Sequence, residues 1–111
     1  MDVESMMNQY FVTDITHFLD EKGVIAKELP EPARKIAEEL GNIIAAVTSQ
    51  PRMYTNTQVR CWSQFDGKHC TGEIDAVLEL ESALILWCCP ACGDQGSIDN
   101  WEDTFWDVGY R

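Results

Sequence analysis

The chain is poor in positive charge, in long apolar runs and, through its first half, in cysteine, and each shortage excludes something. Eight Lys and Arg stand against nineteen Asp and Glu, a formal net charge of −11. Nucleic-acid binders neutralise phosphate with clustered Lys and Arg, and no such cluster occurs, so duplex DNA is not an expected partner. Acidity keeps a surface solvated and favours basic partners. The longest apolar runs, Ile43 to Val47 and Ala83 to Cys89, fall far short of the ~20 residues that cross a bilayer, and no membrane association is expected. Met1-Asp2-Val3-Glu4-Ser5 carries no positive segment and no apolar stretch behind it. No secretory signal is therefore expected, and a cytoplasmic location follows. No nucleophile beside a base, no phosphate-cradling glycine loop and no open catalytic-metal motif is present, so an enzyme is not expected.

A length of 111 residues with 45% hydrophobic content fits one globular domain, residues 1–111. The chain divides near Pro51. Residues 1–50 hold no Cys and read as helical, whereas residues 55–111 hold every Cys and every Trp and read as strands and turns.

The first helix is expected from about Met7 to Glu21, because Met7, Phe11, Ile15, Phe18 and Leu19 recur on one helical face. Gly23 supplies its stop. A second helix is expected from Pro32 to about Thr48. Ala33, Ile36, Ala37, Leu40, Ile43, Ile44 and Val47 form its stripe, with Pro32 and Glu31 at the favoured N-terminal end. Gly41 weakens that helix unless close packing needs it. The two stripes cover the domain's own core or, alternatively, form a homodimer surface.

Thr57 to Cys61 reads as a short strand, and Asp66-Gly67 as a turn in the loop Trp62 to His69. Ile74, Ala76, Leu78 and Leu80 alternate with polar neighbours, and Ala83 to Cys88 is a second apolar strand. A two-residue turn at Glu81-Ser82 would set Leu80 against Ala83, Leu78 against Ile85 and Ala76 against Trp87. The expected fold class is therefore α+β: two N-terminal helices packed on a small antiparallel, zinc-ribbon-like sheet.

Cysteine carries the chemistry. Cys89-Pro90-Ala91-Cys92-Gly93 can grip a tetrahedral ion from one tight turn, with the glycine taking a positive φ just past the second ligand. Cys61 and Cys70 complete a four-thiolate shell. The 18 residues between Cys70 and Cys89 suffice for one hairpin that brings the two turns together. The eight between Cys61 and Cys70 make the first turn a loop. The expected ion is Zn²⁺ on Cys61, Cys70, Cys89 and Cys92, as a closed, structural site. Cys88 points to the opposite strand face and reads as a small core residue. His69 in place of Cys70, iron in place of zinc, a Cys89/Cys92 redox pair, and no metal at all are the alternatives. Redox pairs of that spacing sit at a helix N-terminus, whereas Gly93-Asp94-Gln95-Gly96 is turn chemistry.

In the tail, Ile98 and Trp101 are expected to close a third strand, with Phe105 and Trp106 capping the core. The alternative is an exposed aromatic and acidic surface for a partner. The run Cys89 to Gly96, with Ile98, Asn100-Trp101 and Trp106-Asp107, resembles the ending of small bacterial proteins of unassigned function with a zinc-ribbon-like C-terminal half. Pro32 to Gly41 looks like their upstream helix, and the resemblance spans about residues 11–107. It implies a bacterial, cytoplasmic protein with a cysteine-based site. The functional expectation is a non-catalytic, metal-stabilised protein-interaction module. The alternative is a single-stranded nucleic-acid-binding zinc ribbon, with Trp62 and Phe65 stacking on bases beside Arg60 and Lys68.

Overall fold

The computed structural model of the protein describes residues 10–50, 54–65 and 67–108. Among these residues the fold is mostly β: one α-helix lies on a five-stranded mixed sheet. The strands are β1 (Tyr10–Asp14), β2 (Thr55–Arg60), β5 (Glu73–Glu79), β6 (Leu84–Cys88) and β7 (Gln95–Asp99), ordered β1-β7-β6-β5-β2. A separate two-stranded ribbon pairs β3 (Gln64–Phe65) with β4 (Lys68–His69). The helix, α1, spans Glu31–Ser49.

This overturns the expected pair of N-terminal helices on a small antiparallel sheet. Where the first helix was expected, the chain forms β1, a 3-10 turn (Ile15–Phe18) and a tight reversal; Met7 lies outside the described residues. The physical reason is local. Tyr10-Phe11-Val12-Thr13 is an aromatic and β-branched run that suits a pleated strand. Asp14 then captures the Thr16 N–H at 3.0 Å, which offers the backbone an alternative to helix. Asp20 does the same for Lys22 N–H at 2.8 Å, and Gly23 turns the chain at φ 82° so that Leu19 bridges Ile25. The helical spacing of Phe11, Ile15 and Phe18 arises by coincidence of strand and turn.

The new strand completes the sheet from the far end of the sequence. β1 runs parallel to β7, Tyr10 opposite Gln95 through Asp14 opposite Asp99. β5, β6 and β7 form an antiparallel meander, with Ala76 opposite Trp87 and Leu78 opposite Ile85 as the alternation predicts. Their turn is longer than expected. Leu80 to Ala83 form it, with Ala83 at φ 61° donating its N–H to Glu79 O at 2.8 Å. Glu81-Ser82 lacks the residues a two-residue turn requires. Leu80 consequently leaves the strand and is exposed. β2 pairs with β5 through a bulge centred on Gln58, φ 63°.

One sheet face carries the register rows Phe11–Gly96–Trp87–Ala76 and Thr13–Ile98–Ile85–Leu78. α1 packs there, burying Ile43, Ile44 and Val47 against Ile74, Ala76, Ile85 and Ile98. Gly96 sits under the Trp87 indole, since a Cβ would stand 2.7 Å from the ring and 2.4 Å from the Phe11 carbonyl. Ile98 lies in β7 as expected, while Trp101 follows it and donates its indole N–H to Ala83 O at 2.7 Å. Trp106 lies against Gly41 of α1, so close packing does require that glycine; Phe105 is exposed.

Candidate metal centre

Three backbone turns deliver the four cysteines. Cys61 follows β2, and its N–H donates to Gly72 O at 2.9 Å. Cys70 follows β4, and its N–H donates to Ser63 O at 2.9 Å. The β3–β4 ribbon thus absorbs the eight intervening residues and returns the chain to the same spot. Cys89 and Cys92 occupy the turn between β6 and β7, closed by Gly93 N–H to Cys89 O and Cys89 N–H to Asp94 O, both 2.8 Å. Gly93 takes φ 88°. Register across β5 and β6 then brings the two ends of the hairpin together.

The four Sγ atoms all lie within 4.8 Å of one another. Cys61 Sγ is 3.8 Å from Cys92 Sγ, and Cys70 Sγ is 3.6 Å from Cys89 Sγ. A zinc–sulfur bond of ~2.3 Å in a tetrahedron implies sulfur–sulfur edges of about 3.8 Å. The shell therefore has the size a single tetrahedral ion needs. None of the five cysteines is in a disulfide. Cys88 stands apart on the other sheet face, its Sγ 3.2 Å from the Tyr54 hydroxyl. His69 is exposed and outside the thiol group. The Cys89–Cys92 turn leads into β7 rather than into a helix, so it lacks the helix N-terminus that activates redox pairs.

Backbone N–H groups point at the sulfurs. Ser63 donates to Cys61 Sγ at 3.5 Å, Gly72 to Cys70 Sγ at 3.3 Å, and Asp94 to Cys92. Each favours thiolate over thiol. For Cys70 the Gly72 N–H prevails and holds the thiol below its ordinary range. For Cys61 and Cys92 burial prevails and pushes the thiols up. A cation bound among the four sulfurs would offset the burial and let all of them carry charge.

Gly72 is the residue that sequence reasoning missed. A Cβ there would stand 2.6 Å from Ala91 Cβ and 2.8 Å from Cys89 Sγ, so only glycine lets the first loop approach the second turn. The signal was its place two residues after Cys70, where its N–H also serves the sulfur. Among the described residues, no helix is long and apolar enough to cross a membrane. Compared with known proteins, the chain matches no family model, no curated protein and no solved structure.

Proposed function

We propose that this is a non-catalytic protein-interaction module stabilised by one structural Zn²⁺ on Cys61, Cys70, Cys89 and Cys92. The observation that carries the proposal is the thiol cluster, within 4.8 Å throughout and close to tetrahedral edge lengths. Four thiolates leave no position for water or substrate, so the ion's work is to crosslink. It ties β2 and the β3–β4 ribbon to the β6–β7 turn, across a sheet whose other ties are β-ladders. Thiols kept unpaired suit a reducing compartment, and the proposal includes a cytoplasmic location.

Protein is favoured over single-stranded nucleic acid by the packing of Trp62. Its ring packs on Trp87 at 5.1 Å and is half-buried, so it offers less open surface than a base-stacking platform, and the acidic balance of the chain disfavours a polyanion besides.

Metal analysis of protein purified from minimal medium tests the site. One zinc per chain is expected, lost in Cys92→Ser and kept in Cys88→Ala. Iron in place of zinc declares itself by visible thiolate-to-iron absorption. Absence of stoichiometric metal, or full retention in Cys92→Ser, refutes the assignment.

A further inference from the structure

The central strand of the sheet is apolar on both sides. β6 reads Leu84-Ile85-Leu86-Trp87-Cys88, with no charged or hydroxyl residue to mark a solvent face. Strands of that composition belong to sheets covered on both faces, whereas a sheet wetted on one face alternates apolar with polar. Yet α1, the one α-helix among the described residues, lies on the side of Ile85 and Trp87. The side away from it carries the row Val12–Ser97–Leu86–Val77, with Leu84 next to it on β6. Val12 is 78% exposed, and Val77, Leu84 and Leu86 are half-buried.

Charge says what would cover this face. By alternation every carboxylate of the five strands falls on it: Asp14, Glu73, Asp75, Glu79 and Asp99. Asp75 and Glu79 bracket Val77, and Asp14 and Asp99 stand opposite each other beyond Val12 and Ser97. Arg60, in register with Glu73 at one corner, is the only Lys or Arg in these five strands. From His69 to Tyr110 the sequence has no Lys or Arg at all; Arg52, just before β2, lies outside the described residues. His17 approaches Asp14 at 3.7 Å, while Asn56 on Asp75 and Ser82 on Glu79 are neutral partners. The face is therefore an apolar strip with acid at both ends. Two such faces repel each other, which disfavours a second copy as the cover. Residues 1–9 carry Asp2 and Glu4 and no Lys or Arg, so they do not complement it either.

We propose that this face of the sheet receives a basic amphipathic helix of a partner protein, its apolar side on Val12, Leu86 and Val77 and its Lys or Arg on Asp14, Asp75, Glu79 and Asp99. The inference rests on the interaction-module reading and names the surface and the partner's chemistry. A sheet buries an apolar face against another layer, and a helix is the layer this sheet already accepts on its other side. Strands about 4.8 Å apart make the five-stranded sheet about 20 Å wide, and a helix of about 14 residues spans ~21 Å.

The test is fluorescence anisotropy of a labelled peptide of about 14 residues, Leu at helical spacing and Lys elsewhere, titrated with the zinc-loaded full chain. One control peptide scrambles the same composition, and another replaces Lys with Glu. Saturable binding is expected only for the parent peptide, with amide chemical shifts moving in β1, β6 and β7 rather than in α1. Glu79→Lys combined with Asp99→Lys turns two exposed attractions into repulsions and should weaken binding about tenfold. Val12 is exposed enough for Val12→Lys to leave the fold intact, and it should weaken binding at least as much; circular dichroism of each variant checks the fold. Zinc content of the same samples separates the two readings: without zinc the module assignment fails, whereas zinc-loaded protein that ignores the peptide fails this surface alone. The proposal is overturned if zinc-loaded protein shows no saturable binding of the parent peptide, or if either control peptide binds as tightly. It is equally overturned if binding survives the three substitutions combined, or if the free chain sediments as a dimer that Val12→Lys dissolves.

Discussion

Replacing Gly41 with alanine should destabilise the protein in the presence of Trp106 and stabilise it in its absence. In isolation a helix-interior Gly→Ala change is favourable by ~0.8–1.0 kcal/mol. Here the new Cβ would stand 2.1 Å from Trp106 Cε2 and 2.2 Å from its Nε1, whereas ordinary contacts begin near 3.4 Å. The indole must therefore retreat by more than an ångström. It is a rigid plate with the Phe105 ring packed on it at 4.2 Å, and the chain just beyond is tied by Val108 N–H to Thr48 Oγ1 at 3.1 Å. Overpacking of this kind costs ~1–3 kcal/mol. The net expectation for Gly41→Ala is a loss of about 1 kcal/mol. In Trp106→Ala the obstruction is gone and only the helix gain remains, about 1 kcal/mol. Urea unfolding at saturating zinc, applied to both single variants and the double variant, gives the cycle. The coupling energy should be about 1–3 kcal/mol with a change of sign between backgrounds. Equal stabilisation by Gly41→Ala in both backgrounds would refute the seating of Trp106 on the helix.

Three further outcomes follow from particular contacts. Chelation should strip amide protection from residues 61–72 and 89–94 before α1, since structural zinc contributes ~10–16 kcal/mol in small zinc-finger peptides and, on the proposed assignment, would anchor those turns directly; hydrogen exchange with uniform loss across the chain would contradict this. The Asp14 carboxylate is held below its ordinary pKa chiefly by the Thr16 hydroxyl, with the Thr16 N–H and Asn100 amide assisting. That contribution is present above the unfolded value of about 4 and lost as pH falls through the lowered folded value, so Asp14→Asn should cost stability at neutral pH and flatten the acid limb of an unfolding curve. Ala83 holds φ 61°, a region costing roughly 1–2 kcal/mol for a residue with a Cβ; Ala83→Gly should therefore stabilise the fold by up to about 1 kcal/mol and raise the urea midpoint, and a lowered midpoint would count against the strained turn.

Local pattern carried the legible features. The α1 stripe from Ala37 to Val47 is long enough that no other period fits it, and its limits fall within a residue of those expected. The alternation through Ile74, Ala76 and Leu78 likewise fixed which residues face Ile85 and Trp87. The spacing from Cys70 to Cys89 then brought the four thiols together, because a hairpin of known register has known ends. What escaped was either short or non-local. Five residues of β1 cannot announce a strand when their apolar positions also fit a helix, and no local feature of Tyr10–Asp14 points to a partner in Gln95–Asp99. The bulge at Gln58 and the four-residue turn ending at Ala83 depend on backbone torsions that those side chains do not advertise. Gly72 escaped because its main reason, the proximity of Ala91 and Cys89, exists only once the hairpin has formed, and its place two residues after Cys70 was the one local sign of it.

The pairing of β1 with β7 has a consequence for how the protein is made. β1 is synthesised first, yet its neighbour in the sheet is the last strand, with 80 residues between Asp14 and Gln95. At ~5–20 residues per second, those residues take roughly 4–16 s to translate. All four thiols emerge within that interval, Cys92 only three residues before β7 begins, so the β5–β6 hairpin can close while Tyr10-Phe11-Val12 still waits without a mate. An unpaired strand of that composition is adhesive toward any other edge it meets. For those seconds the nascent chain presents its strand to whatever is nearby, ribosome-bound chaperones and neighbouring nascent chains included, and only the arrival of β7 withdraws it.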